Sequence, residues 1–136
     1  MEKSWPAVME SIPEMREFVS QNASRIGFAH AKAKRLEIVI EEVTVNIIKY
    51  ALTGDADARI TIGMEESTSK LTIRIADRGS PFDPTDAAKP DLDAPLPERS
   101  IGGLGIFLAG KLLDEMSYLR EDGWNILTMV KYIDGV

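Results

Sequence analysis

Residues 31–52 run without a proline or glycine, and within them Leu36, Val39, Ile40, Val43 and Ile47 recur at spacings of three and four. That period predicts an amphipathic helix with one buried face, and the chain is organised around it. Glu42, Asn46, Lys49 and Tyr50 form a second stripe beside the first. Side chains four residues apart share a helical face, so Glu42 and Asn46 can reach one ligand at the edge of the core. A carboxamide oxygen suits a hydrated divalent metal, and a carboxylate suits a base that activates water or a hydroxyl. The alternative is a solvated polar stripe, the ordinary outer face of a surface helix.

Composition narrows the chemistry. A chain of 136 residues with 44% hydrophobic and 28% charged residues is expected to form one domain with a real core. No apolar run is long enough to span a membrane, and the first residues lack a signal-peptide core, so a soluble, cytoplasmic protein is expected. The absence of cysteine removes disulfides and thiolate metal sites, and a single histidine, His30, argues against a His-based metal site or a Ser-His-Asp triad. A net charge of −6 argues against a nucleic-acid surface and favours a basic partner.

Ahead of the long helix, residues 4–10 read as a short strand that Pro6 restricts to an edge or a strand start. Ser11, Ile12, Pro13 and Glu14 read as a capping box opening a helix that Gly27 ends. Beyond residue 57, Ala58, Ile60, Ile62 and Met64 alternate with polar residues, a turn falls at Ser67-Thr68-Ser69, and Leu71, Ile73 and Ile75 alternate on the return strand. The next position in that buried row is Asp77. A carboxylate on an apolar face needs a partner, so Asp77 either caps the turn at Gly79 or accepts a hydrogen bond from a ligand such as an exocyclic amine.

Residues 80–99 hold five of the seven prolines and no periodicity. A loop of this length is expected to be a lid, or else a plain surface excursion. Gly102, Gly103 and Gly105 then open a helix bearing Leu104, Phe107, Leu108 and Leu112. Free backbone N–H groups at such a terminus suit phosphate, although a glycine-rich hinge looks the same and no Lys-Ser/Thr pair completes a P-loop. Asp122-Gly123 marks a final hairpin. In its last strand Thr128 is a hydroxyl in the row of Trp124, Ile126 and Val130, bonded to backbone or facing the pocket of Asp77.

The order of these features resembles the ATP-binding domain of the GHKL superfamily, the gyrase, heat-shock-90, histidine-kinase and MutL group. A helix carries Glu42 and Asn46, a strand ends in Asp77-Arg78-Gly79-Ser80-Pro81-Phe82-Asp83, a long loop leads to Gly102-Gly103-Leu104-Gly105, and Thr128 lies in the last strand. The resemblance covers essentially residues 1–136 and is strongest to the stand-alone bacterial anti-sigma-factor serine/threonine kinases. It implies an α/β two-layer sandwich of the Bergerat type, with a mixed, largely antiparallel sheet and helices on one face.

The resemblance also implies roles. Asn46 would hold Mg²⁺ and Glu42 would be the general base. Asp77 would accept from the adenine amino group of ATP, supported by Gly79 and Thr128. Gly102, Gly103 and Gly105 would cradle phosphates, with Arg99 near the β- and γ-phosphates, under a lid at about 80–100. Tyr50 stands where the family often has histidine. The expected activity is ATP-dependent phosphorylation of a small antagonist protein by a sigma-factor-binding homodimer. The alternatives are a non-catalytic ATP-binding module that sequesters a partner, and the catalytic domain of a histidine kinase.

Overall fold

A computed structural model describes residues 1–52, 57–84 and 111–133. Strand β1 (Glu2–Pro6) leads through a 3-10 turn into helix α1 (Ile12–Ile26), which is followed by helix α2 (His30–Tyr50). Four strands complete the described chain: β2 (Arg59–Ser67), β3 (Lys70–Asp77), β4 (Glu115–Glu121) and β5 (Trp124–Tyr132). They form one five-stranded sheet in the order β1-β2-β3-β5-β4. Every pairing among these strands is antiparallel, in keeping with the expected largely antiparallel sheet.

The helices cover one face of the sheet because their apolar stripes have the right period. Leu36, Val39, Ile40, Val43 and Ile47 of α2 are all buried, as the spacing predicts. They join Met15 and Val19 of α1 and the inward row Ile60, Ile62, Ile73, Ile75, Leu127 and Met129 in one cluster. Each such aliphatic side chain contributes roughly 1.5–3 kcal/mol when fully buried, so α2 is held by tertiary packing rather than by helix propensity.

Three local expectations need correction. The first strand ends at Pro6 instead of continuing to residue 10, since a proline has no N–H with which to extend a ladder, and Met9–Ser11 forms the 3-10 turn. Ser11 stands at the N-cap of α1 without a side-chain cap bond, because it is already helical after that turn. The other half of the expected box, Glu14, instead accepts a hydrogen bond from Trp5 Nε1 at 3.1 Å and ties α1 to β1.

Gly27 ends α1 as expected, with φ of 120° and its N–H donating to the carbonyls of Ala23 and Ser24. The β4–β5 hairpin turns on Asp122 and Gly123, at φ of 52° and 84°, the backbone signature of a type I′ turn. Residues 101–110 of the glycine-opened helix and residues 85–100 of the expected lid lie outside the described residues.

Candidate nucleotide site

Period-two alternation carries Asp77, the last residue of β3, onto the helix-covered face, where it is 1% exposed. Its Oδ1 accepts the Gly79 N–H at 2.8 Å and Asn125 Nδ2 at 3.0 Å. Capping of the turn at Gly79 is thus real, but it occupies one oxygen. Both of these bonds fall on Oδ1 rather than Oδ2. Burial pushes the carboxyl above the usual aspartate range, opposed by Asn125, the Gly79 N–H and the charge of Arg120.

The chain leaving β3 is stitched to the end of α2. Ser80 N–H donates to Ala51 O at 2.9 Å, satisfying a carbonyl that the helix C-terminus leaves open. A Cβ at residue 79 would lie 2.3 Å from the same oxygen, so this close approach requires glycine. Tyr50 and Phe82 pack with ring centroids 5.6 Å apart across the same junction.

On α2, Asn46 is 3% exposed and Glu42 is half-buried. The solvated-stripe reading therefore fails for Asn46, while Lys49 and Tyr50 are exposed as it expects. Asn46 Nδ2 donates to Glu42 O at 2.6 Å, which uses one of its two N–H donors on the helix backbone. Burial raises the Glu42 carboxyl above the usual glutamate value, as does Glu41, against an opposing effect of Lys49.

No group of three or more His, Cys, Asp or Glu able to hold a metal gathers among the described residues. Mg²⁺ typically takes only one or two protein oxygens together with phosphates and water, a donor set that Asn46 Oδ1 fits.

Thr128 does not join this site. It pairs with Arg74 on one side and Ser117 on the other, one residue out of step with the buried row of Asn125, Leu127 and Met129. Alternation therefore sends it to the face of the sheet away from Asp77. The residue opposite Asp77 is Asn125, which the sequence reading missed. Asn125 is 4% exposed, and its Nδ2 also reaches Ser80 O at 2.8 Å. Its Oδ1 accepts Tyr118 Oη at 2.5 Å, Arg120 Nη1 at 3.2 Å and Phe82 N at 3.3 Å. Arg120 adds a bond to Gly79 O at 2.6 Å. The signal was present, since Asn125 shares its row with Leu127 and Met129 just as Asp77 shares one with Ile73 and Ile75. Arg99, Gly102, Gly103 and Gly105 lie outside the described residues.

Comparison with known proteins places the chain in a family. Residues 5–131 match the family described as the histidine kinase-like ATPase domain. The chain belongs to that family.

Among histidine kinase-like ATPases it is similar to the serine-protein kinase RsbW of Listeria innocua, 32% identical over 136 residues that span 95% of this chain and 84% of the relative. The serine/threonine-protein kinase BtrW of Bordetella bronchiseptica is 33% identical over 97 residues, 71% of this chain and 68% of that one.

Two solved structures share the fold at low identity. One holds the RsbU and RsbW domains of Rv1364c from Mycobacterium tuberculosis, with a TM-score of 0.63 and 14% identity, covering 98% of this chain and 32% of that chain. The histidine kinase domain of the Erythrobacter litoralis EL346 blue-light activated histidine kinase has a TM-score of 0.58 at 15% identity, covering 94% and 61%.

Proposed function

We propose that this histidine kinase-like ATPase is an ATP-dependent protein serine/threonine kinase that acts as an anti-sigma-factor regulator. The single observation that carries the nucleotide reading is the buried Asp77 carboxylate, with Oδ1 held by Asn125 and Gly79; in this reading Oδ2 accepts the ligand donor. An adenine amino group supplies such a donor in an apolar setting. The names of the relatives, serine-protein kinase and serine/threonine-protein kinase, support transfer to a hydroxyl.

Glu42 is the general base in this reading. It takes the proton of the acceptor serine hydroxyl as the oxygen bonds to the γ-phosphorus and ADP leaves, and its raised pKa brings it nearer the working pH. Phosphoryl transfer asks the protein mainly for positioning and charge neutralisation, so no covalent nucleophile is required. Asn46 Oδ1 would hold Mg²⁺, which neutralises phosphate charge when bound. Gly102, Gly103, Gly105 and Arg99 would meet the phosphates, beneath a lid at about 80–100 in a single domain of residues 1–136.

The acceptor is a small antagonist protein, and a sigma factor is the partner released or retained according to the phosphorylation state. The site belongs in the cytoplasm with these partners. No helix among the described residues is long and apolar enough to cross a membrane. A homodimer is the expected assembly in this reading.

Incubating the protein with Mg-ATP and the small proteins encoded beside it, then mapping phosphate by mass spectrometry, tests the assignment. Phosphoserine or phosphothreonine on one of them is the expected outcome. Phosphate on histidine would move the chain to the histidine kinases, and ATP binding without transfer to any of them would make it a passive binding module.

A further inference from the structure

We propose that the pocket between Arg78 and Trp124, on the opposite side of the strand end from Asp77, docks an acidic side chain of a partner protein. Alternation that turns Asp77 toward the helices turns the next residue, Arg78, the other way. Its guanidinium carbon lies 5.0 Å from the centroid of the Trp124 ring. Arg78, Trp124, Arg59, Leu52, Ala58 and Thr61 contribute to the lining of a cavity of about 320 Å³. That volume is at the small end for ligand pockets and suits one or two side chains rather than a whole nucleotide.

The polar atoms in this cavity are set for an anion. Arg59 is pinned by its own bonds, Nε to Ser4 Oγ at 3.0 Å and Nη2 to Ser4 O at 3.1 Å, so its charge is fixed at the rim without an ordering cost to a ligand. Arg78 is held over the indole ring, a contact that uses the guanidinium face rather than its N–H donors. Arg16, Lys34, Arg74 and Lys131 each face a carboxylate. The contact of Arg78 is with the Trp124 ring.

Among the described lining residues two arginines stand against one carboxylate, Asp57, which makes this part of the pocket locally positive in a chain of net charge −6. The overall charge favours a basic partner, so this patch selects for a local acidic group against the background field. A planar carboxylate matches the guanidinium fork, and the aliphatic stem of a glutamate would lie along Trp124 and Leu52. This docking site goes beyond the kinase reading and stands without it, because none of these contacts involves ATP.

The test follows the indole N–H resonance of Trp124 in the full chain by NMR, assigned by its loss in Trp124→Phe, with that of Trp5 as internal reference. The probe is a blocked tetraglutamate peptide, with tetraserine as control. Tetraglutamate should shift the Trp124 signal saturably, and added salt should weaken the effect. Arg78→Ala should weaken binding roughly tenfold, the size of one charge-assisted pair, while ATP affinity and thermal stability stay at wild-type values. Loss of ATP binding in wild-type protein would count against the nucleotide reading and leave this one standing. The docking proposal is overturned by an absent shift, by an equal response to tetraserine, or by unchanged affinity in Arg78→Ala. An equal response to inorganic phosphate alone would make this a simple anion site. A Trp124 shift that tracks protein concentration without peptide would assign the pocket to a second copy of this chain. Either result also overturns the proposal.

Discussion

Asn125 Nδ2 donates to Asp77 Oδ1 at 3.0 Å across the β3–β5 pairing, so the buried carboxylate is oriented by a side chain from the opposite strand. The same carboxamide binds Ser80 O, Phe82 N and Tyr118 Oη, which makes it the joint between two strands and the loop that leaves β3. Asn125→Leu keeps the branched shape and removes every one of these bonds. It should cost about 1–3 kcal/mol of stability through unpaired buried groups and weaken ATP binding by misorienting Asp77. Urea unfolding and calorimetry on one preparation check both effects. Wild-type ATP affinity in the folded variant would contradict a positioning role.

Asp77 also predicts a pH signature. Its folded-state pKa is raised, mainly by burial, so the folded chain keeps a proton that the unfolded chain has released. Stability from this group is complete below about pH 4, the unfolded aspartate value, and is lost as pH rises through the folded value. Denaturation midpoints measured across this range should fall less steeply with rising pH in Asp77→Asn than in wild type. Parallel curves would show that burial does not dominate the carboxylate.

Gly79→Ala separates close approach from glycine content in general. The added Cβ would meet the Ala51 backbone at 2.3 Å, whereas one at Gly63 has nothing nearer than 3.9 Å. Gly79→Ala should therefore destabilise by about 1–3 kcal/mol, since backbone must move, and Gly63→Ala should be close to neutral. Thermal melts of the two variants give the comparison. Equal effects would mean that the junction of α2 and β3 is looser than its contacts indicate.

Glu42→Gln retains size and one acceptor oxygen while removing the proposed base. Mg-ATP binding should survive, and phosphoryl transfer should fall by roughly 10²–10⁴. In wild type the acidic limb of the rate profile should lie above the usual glutamate range, because activity is lost as Glu42 protonates. Single-turnover transfer to the antagonist protein measures both. Transfer at the wild-type rate in Glu42→Gln would remove Glu42 from the proton path.

Periodicity made the helices and the inward strand rows legible, because an apolar stripe of the wrong period cannot be buried. It also placed Asp77 on the buried face, an inference that needed only the residues of its own strand. The misplacement of Thr128 has the same physical root. A hydroxyl among Trp124, Ile126 and Val130 looks buried when both faces of β5 are apolar, and local alternation does not say which face the helices cover. That choice is made by the long-range pairing of Asp77 with Asn125. Ser11 and Glu14 failed as a box for a related reason, since Trp5, nine residues before Glu14, takes its carboxylate.

The most direct measurement of the nucleotide assignment is the affinity of Asp77→Asn for ATP, determined by calorimetry on protein shown by its melt to be folded. An amide presents a donor where the adenine amine needs an acceptor, so binding should weaken by about 2–4 kcal/mol, with Mg-ATP still bound by wild type under the same conditions. Unchanged affinity would contradict the role of Asp77, and with it the placement of the adenine at the junction of α2 and β3.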